Sequence, residues 1–408
     1  MIINYTTGHA GTGKSTKLID FLLECSPETT VVITPTHKAG KILVDKLEHR
    51  SEHYEIKTIH SLLGWVPGIN ESAEDIRHVD TTIKLDRDLP DYTNIIVDEF
   101  SMMSEDMLFD LTSKIDESCD YDSDHITLTL YGDPYQLPPV KGTPIQTDPT
   151  TTTHLTEQYR AESPDLVDLF TKFVRHMEGT NPNDLTIPES ENVREVNSLL
   201  HFGLNDRLLA YTNEAVGKYN IEIAKKFGIK DWLGEEVQLG SRLDTIVIKA
   251  YMYPTIRTLL EWFDNGTLIL QNNKINRKYL QQNLQALLNC EEIQFFMDTD
   301  GAVYPVITGI GRAYLLRQEV KQQAVDSKVG TPSRGKSWSK FYAMERAFTM
   351  DYTFASTVHK SQGSEFDTVW VDKKDIQKSI FNNNYSTYAR LIYVALSRAK
   401  KQVRILIG

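Results

Sequence analysis

The sequence predicts an α/β protein with parallel sheets flanked by helices. Strand-like and helix-like stretches alternate toward both ends of the chain, several strand-like stretches stop at glycine or acidic residues, and 408 residues exceed what one hydrophobic core holds. Near the start, INYTT is a strand, a glycine-rich turn follows, KSTKLIDFLLEC places apolar residues at helical spacing, and TTVVITP is a β-branched run. This is a βαβ opening. KAGKILVDKLEHR is a second amphipathic helix, NIIVDE is a short apolar strand ending in acids, and HITLTLYGD is a strand ending in Gly132 and Asp133. Strands with chemically loaded ends are expected of a doubly wound parallel sheet, whose ligands sit at the carboxyl ends of its strands.

Residues 64–92 break the rhythm with Gly, Pro and polar residues around a short IKL segment, the pattern of a small insertion such as a hairpin. Helical spacing returns from Pro164 to Met177, followed by a polar surface loop, GTNPNDLTIPESEN. RLLAYTNEAVGKYNIEIAKKF is strand, turn and helix; DYTFASTVHKSQGSEFDTVWVD is strand, loop and strand. The chain ends with a helix, YSTYARLIYVALSRA, and a strand, QVRILIG. Between about 223 and 345 neither period is sustained, so that region is an inserted domain of underived fold in which KINRKYLQQNLQALLN is helical. No internal repeat is visible.

Composition is that of an ordinary globular protein, with 40% hydrophobic and 25% charged residues. No apolar run reaches the length of a membrane span and the N-terminus lacks a basic leader, so a cytoplasmic location is expected. Cys25, Cys119 and Cys290 are odd in number and widely spaced, which predicts reduced thiols and neither a disulfide framework nor a zinc site. The net charge of −12 is uneven. Residues 105–124 are strongly acidic, whereas 312–346 carries Arg312, Arg317, Lys321, Lys328, Arg334, Lys336, Lys340 and Arg346. Because charges are screened beyond about 8 Å at physiological salt, a local basic channel on an acidic body remains compatible with a phosphate-rich partner.

Gly8-His9-Ala10-Gly11-Thr12-Gly13-Lys14-Ser15, continued by Thr16, matches G-x-x-x-x-G-K-[ST] between a strand and a helix. The glycines let main-chain N–H groups curl around the phosphates of a nucleotide, Lys14 supplies a cation, and Ser15 offers its hydroxyl to Mg²⁺. Asp98 and Glu99 end the strand IIVDE. Asp98 is the hard oxygen ligand such an ion takes, and Glu99 is placed to orient and deprotonate water. Gln136, after the next strand, has a carboxamide able to bond a γ-phosphate oxygen and the attacking water together.

Nine motifs in order then carry a resemblance: GHAGTGKS (8–15), TPTHKAG (34–40), TIHSLLG (58–64), VDEFSM (97–102), GDPYQLPPV (132–140), LTEQYRA (155–161), AYTNEAV (210–216), STVHKSQGSEFD (356–367) and YVALSRAK (393–400). The set resembles the superfamily 1 helicases, and more narrowly their RecD/Dda branch, which includes the Dda-type helicases of bacteriophage. The resemblance implies two RecA-like P-loop domains with small inserted domains: 1–63 with 93–162 as the ATP-binding domain, 64–92 as an inserted pin, 163–222 with 346–408 as the second core domain, and 223–345 inserted into it. It implies ATP and Mg²⁺ as cofactors. Arg160 and Arg398 would be arginine fingers from the second core domain, Tyr159 would stack on adenine, and Gly363 and Glu365 would meet the nucleotide, Glu365 at the ribose. Thr36, His37, Thr58, His60, Thr212, Asn213, Thr357, His359 and Lys360 would contact the backbone of a single strand, a sequence-independent grip. For each Thr or His, a cap or turn role competes with that contact. Single-stranded and forked duplex DNA are the implied partners, with replication or recombination proteins beside them; the expected state is a monomer without membrane attachment, moving 5′ to 3′.

Two departures stand out. The first strand begins at Ile2, so no counterpart of the N-terminal Gln with which the family reads adenine is expected, nor a strict preference for ATP over other nucleoside triphosphates, and the 64–92 insertion offers no aromatic tip beyond Trp65. Trp338, Phe341 and Tyr342, interleaved with Lys336 and Lys340, are either base-stacking or core aromatics. Three alternatives stay open: a translocating ATPase that remodels protein–DNA complexes without unwinding, a P-loop phosphotransferase on a small substrate, and a non-catalytic nucleic-acid clamp.

Overall fold

The computed structural model describes all residues except 35–36, 48–52, 68–81, 85–90, 119–125, 140–141, 180–185, 240–243, 272–276, 329, 381–384 and 408. The chain divides into two compact units. The first comprises Met1–Val193, Gly363–Glu365 and Asn383–Lys401; the second comprises Arg194–Gln362, Phe366–Asn382 and Gln402–Gly408.

In the first unit, strands β1 (Ile2–Gly8), β2 (Thr30–Thr34), β3 (Glu55–Thr58), β4 (Trp65–Pro67), β5 (Thr82–Lys84), β6 (Asn94–Val97), β7 (Thr127–Gly132) and β8 (Thr152–Leu155) alternate with helices. These are α1 (Lys14–Glu24), α2 (His37–Leu47), α3 (Ile59–Leu62), α4 (Glu105–Ser118) and α5 (Pro164–Met177). The main sheet runs β3-β2-β6-β7-β1-β8, parallel throughout. Both faces are covered. Val32 and Ile96 pack with Leu18, Leu22, Leu43 and Leu47 of α1 and α2, while Val31, Ile33, Ile95 and Val97 pack on the other side with Leu111 and Ile115 of α4. Burial on both faces is why these strands appear in sequence as continuous apolar runs. Because β6, β7 and β1 are adjacent and parallel, the residues that follow them, Asp98-Glu99, Asp133 and the glycine loop, emerge along one edge. The hairpin expected within 64–92 exists as antiparallel β4 and β5, with Trp65 opposite Lys84; residues 68–81 and 85–90 lie outside the described residues.

The second unit holds β9 (Val193–Val196), β10 (Arg207–Ala210), β16 (Ala355–Thr357), β17 (Phe366–Asp372) and part of β18 (Ala399–Leu406), in the sheet order β16-β10-β17-β18-β9. Its helices are α6 (Asn213–Lys226), which packs beside β10, and α11 (Lys373–Gln377). The stretch without a clear period contains a closed barrel of β11 (Glu236–Leu239), β12 (Asp244–Met252), β13 (Gln294–Asp298), β14 (Val303–Thr308) and β15 (Phe348–Tyr352). Val237, Leu239, Ile248, Phe296, Val306, Phe348 and Met350 fill it. Around it lie α7 (Ile256–Asp264), α8 (Leu280–Leu288), α9 (Ile310–Asp326) and α10 (Pro332–Arg346). The remaining helix, α12 (Tyr385–Leu396), belongs largely to the first unit.

Several residues of the basic 312–346 stretch hold this fold together. Arg317 donates to the carbonyls of Met344 and Ala347 and to the Thr349 hydroxyl, Arg334 donates to the Ser327 carbonyl, and Lys340 pairs with Glu292 at 2.6 Å. Phe341 packs on the apolar core, while Trp338 and Tyr342 stack on each other with ring centroids 5.8 Å apart. Cys25 and Cys290 are free thiols; Cys119 lies outside the described residues. Among the described residues no helix is long and apolar enough to cross a membrane. Phe296 is fully buried at the centre of the barrel. Phe296→Ala should therefore destabilise it by about 3–5 kcal/mol, seen as a lower urea midpoint; an unchanged midpoint would show that the barrel repacks without it.

Candidate active site

The glycine loop joins β1 to α1, and two of its residues demand glycine. Gly11 and Gly13 have φ of 86° and 80°, left-handed values that side chains disfavour. A Cβ on Gly11 would lie 2.0 Å from Gln158 Oε1, and one on Gly13 would lie 3.4 Å from the Tyr159 ring. The segment 158–160 is thus laid directly against the loop: the Tyr159 N–H donates to the Gly11 carbonyl (2.8 Å) and Gln158 Nε2 to the Ala10 carbonyl (2.7 Å). The Thr12 hydroxyl donates to the His9 carbonyl, and Lys14 Nζ reaches back to the carbonyls of Gly8 (2.7 Å) and His9 (2.8 Å). Burial lowers the Lys14 pKa, and the nearby carboxylates of Asp133 and Glu99 oppose the shift.

One pocket gathers Ala10, Gly11, Gly13, Lys14, Ser15 and Thr16 from the loop and α1, Asp98 and Glu99 from the end of β6, and Gln136. It also takes in Tyr159, Arg160, Gly363, Glu365 and Arg398. All of these belong to the first unit. Gly8 and Thr12 belong to the same loop; Thr12 faces a neighbouring pocket beside Tyr159. Leu43 and Lys46 of α2 also line the main pocket. Their sequence signal is that of any amphipathic helix, which is why sequence reasoning missed them.

Glu99 carries two marks of a working group. Its φ of 55° is the one left-handed value at a non-glycine among the described residues, and its buried Oε2 has no hydrogen-bond partner among them. Strain and an orphaned acceptor together point the carboxylate at something that enters the pocket. Beside it, Asp98 accepts the Glu99 N–H (3.0 Å), and burial followed by the Glu99 charge raises its pKa. Among the described residues no three His, Cys, Asp or Glu side chains cluster to form a metal cage. Ser15 and Asp98 in one pocket instead fit Mg²⁺, which is held by one or two protein oxygens together with phosphate oxygens.

The far wall is cationic. Arg398 is 1% exposed; its guanidinium donates to the carbonyls of Val394 (3.1 Å) and Ser364 (3.5 Å) and to the Ser397 hydroxyl (3.2 Å). Burial and the neighbouring Arg160 push its pKa down to about 10, so it stays charged at neutral pH. Arg160 donates twice to Glu365 Oε1 (3.0 and 2.8 Å) and to the Ser397 carbonyl (2.9 Å), and Lys400 sits 3.4 Å from Glu365 Oε2. Burial raises the Glu365 pKa, but Arg160, Lys400 and Lys46 together outweigh it and the net shift is downward. Tyr159 is 71% exposed, with its hydroxyl donating to Glu157 and its ring edge against Gly13.

Three residues beyond those expected organise the site. Tyr393 and Asp133 are fully buried; the Tyr393 hydroxyl accepts the Ala10 N–H (2.9 Å) and donates to Asp133 Oδ2 (2.7 Å). Arg390 donates to the carbonyls of Pro134 (2.6 Å) and Gln136 (2.7 Å). Tyr393 and Asp133 fell inside quoted motifs, but only their contacts reveal what they hold.

The proposed strand contacts gather at two places, one in each unit. Thr58 and His60 follow β3, whose partner β2 pairs Thr34 opposite Thr58. Thr36 and the side chain of His37 lie outside the described residues. Thr212 and Asn213 follow β10; Thr357, His359 and Lys360 end or follow β16, and Ala210 pairs with Thr357. Thr58 caps α3 by accepting the Ser61 N–H, and Thr212 caps α6 by accepting the Ala215 N–H while donating to Asp375. Both hydroxyls are therefore engaged in local structure. Asn213 and His359 are exposed, and burial lowers the Lys360 pKa.

A curled glycine loop with a buried lysine, an acid pair at a neighbouring strand end, and a carboxamide in the same pocket make up a P-loop nucleotide site. A family model described as an AAA domain matches residues 3–142, and one described as a UvrD-like helicase C-terminal domain matches residues 352–406. The chain is 24% identical to an uncharacterized protein of Methanocaldococcus jannaschii over 99% of its own length and 36% of that protein's, so it spans little more than a third of this relative. It is 22% identical to an uncharacterized protein of Acanthamoeba polyphaga mimivirus, covering 99% of this chain and 95% of that one. Among solved structures it is similar to the Pif1 helicase from Candida albicans (16% identity, TM-score 0.49, covering 100% of this chain and 91% of that one). It is also similar to the Pif1 helicase from Bacteroides in complex with ADP-AlF3 and ssDNA (16%, TM-score 0.43, covering 99% and 88%). The segment from His359 to Arg398 thus lies within the stretch that matches a UvrD-like helicase C-terminal domain.

Lys14→Ala should abolish measurable ATP hydrolysis. Glu99→Gln, which keeps shape but removes the base, should lower kcat by about 10²–10⁴-fold while a fluorescent ATP analogue still binds; turnover near that of the unaltered chain would remove Glu99 from the mechanism.

Proposed function

We propose that the chain is a DNA translocase of the RecD/Dda branch that moves 5′ to 3′ along single-stranded DNA and separates a forked duplex. The observation that carries this is the pairing of an ATP pocket with matching residue clusters at strand ends in two sheets. Thr58 and His60 sit at the β3-β2 edge, and Asn213, His359 and Lys360 at the β10-β16 edge. Both clusters occupy the outermost pair of parallel strands, at carboxyl ends, where ligands of such sheets bind. Small polar groups there suit backbone grip without base reading.

In this reading, 1–63 with 93–162 is the nucleotide-binding core, 64–92 carries the strand-separating hairpin, 163–222 with 346–408 is the second core, and 223–345 is its insertion. Mg²⁺, held by Ser15 and Asp98, would neutralise charge building on the transferred phosphoryl group. Glu99 takes the proton of the attacking water at Oε2, Gln136 orients that water against the γ-phosphate, and Lys14 leaves its loop carbonyls for the phosphates. Arg160 and Arg398 stabilise the charge that develops at cleavage, and Tyr159 stacks on the base. Alternating grip by the two clusters then converts turnover into steps, a coupling free energy between the nucleotide and strand sites.

Two measurements test it. Single-stranded DNA should raise the ATPase rate several-fold, and a duplex with a 5′ tail should be unwound in preference to one with a 3′ tail; DNA-independent hydrolysis would leave a plain phosphatase or phosphotransferase. Arg398→Ala should cost about 10³–10⁵ in kcat with DNA affinity retained. Strand-displacement activity that survives removal of 68–81 would locate the wedge elsewhere.

A further inference from the structure

We infer that Tyr393 is a positioning residue whose hydroxyl registers the phosphate loop and the Gln136 loop onto the helix that leads to Arg398, so that cleavage depends on it far more than nucleotide binding does. The inference rests on the ATPase reading and adds to it a residue that touches no substrate atom.

The Tyr393 hydroxyl is saturated from both sides: it accepts the Ala10 N–H (2.9 Å) and donates to Asp133 Oδ2 (2.7 Å). The other Asp133 oxygen accepts the Tyr135 N–H (3.0 Å), one residue before Gln136. Three residues earlier on the same face of α12, Arg390 donates to the carbonyls of Pro134 and Gln136 at 2.6 and 2.7 Å. Five residues later comes Arg398, whose Nε is tied to the Val394 carbonyl of that helix. A continuous hydrogen-bonded path therefore runs from the phosphate loop through Tyr393 to the sensor loop, with Arg398 two residues beyond the end of α12 and bonded back to it.

Packing alone does not account for a tyrosine here. Tyr393 and Asp133 are both 0% exposed, and a hydroxyl in such a place is tolerated only when bonded, whereas phenylalanine would fill the volume without that demand. The groups fixed by the relay, Gln136 and Arg398, act as charge develops at cleavage. Lys14 and the N–H groups of residues 11–15, which on the ATPase reading hold the ground-state phosphates, make no hydrogen bond to Tyr393 among the described residues. Displacing catalytic groups by about 1 Å can lower a rate roughly 10²-fold.

The test is steady-state ATP hydrolysis by the full chain with single-stranded DNA, alongside the Kd of a fluorescent ADP analogue. Tyr393→Phe should lower kcat by roughly ten- to a hundred-fold with KM and the analogue Kd within about twofold. Asp133→Asn should behave alike, and the double variant should be no slower than the slower single, because one path is cut only once. Unaltered kcat in Tyr393→Phe, parallel loss of kcat and nucleotide affinity, or multiplying single effects would overturn the relay while leaving the ATPase reading intact. An inactive unaltered chain would overturn both. Should Tyr393→Phe fail to fold, Arg390→Met at the half-buried end of the same path carries the test: a kcat loss with constant KM supports the relay, and full kcat refutes it.

Discussion

The site depends on keeping several cations and carboxylates together in one pocket. Lys14, Arg160 and Arg398 converge there, and Arg160 lowers the pKa of both other groups. Glu365 is drawn to Arg160 and Lys400, and among the described residues Arg398 has only hydroxyl and carbonyl partners. Like charges brought together away from water repel strongly, since interaction energies at an effective dielectric of about 20 are roughly four times those in water. Such a cluster is stable only because main-chain carbonyls absorb it, and it is most favourable when a polyanion arrives. Glu99, beside Asp98, adds to that pocket a buried acceptor oxygen with no hydrogen-bond partner among the described residues.

That pocket exists because three neighbouring parallel strands end at the same edge. The order β6-β7-β1 sets the acid pair, Asp133 and the glycine loop side by side, and double burial of these strands fixes their register: a one-residue slip would turn each apolar set toward the wrong layer. The left-handed glycines then let the segment 158–160 press against the loop more closely than any side chain would permit. Backbone geometry, more than side-chain reach, brings Arg160 and Tyr159 to the phosphate site.

The parallel sheets were legible because their strands are short, apolar and bounded by glycine or acids, and because α1, α5, α6 and α12 carry helical spacing throughout. Apart from Lys46, every charged residue and every glycine that lines the pocket lies in a quoted motif. The barrel was not legible. Its β14 and β15 pair in parallel across the two helices α9 and α10, and β12 shifts register between Ile248 and Ala250, so no local period announces closure. Helix α4 was hidden by its own charge, since Glu105, Asp106 and Asp110 mask the buried Leu111 and Ile115. The basic run at 312–346 has a structural side as well. Arg317, Arg334 and Lys340 are turned to helix-end carbonyls and to Glu292, uses that charge counting cannot separate from a binding channel.

The acidic total of −12 is then less paradoxical. A phosphate backbone would meet only the groups within a Debye length of about 8 Å, and the groups at the two edge-strand sites are amides, hydroxyls, imidazoles and one lysine. Burial lowers the pKa of that lysine, Lys360, with the buried Asp351 opposing. On the proposed track, few full charges would mean a shallow salt dependence and a grip that relies on directed hydrogen bonds. A motor that must release each contact once per cycle is better served by that arrangement than by a dense basic groove, whose affinity would hold it in place.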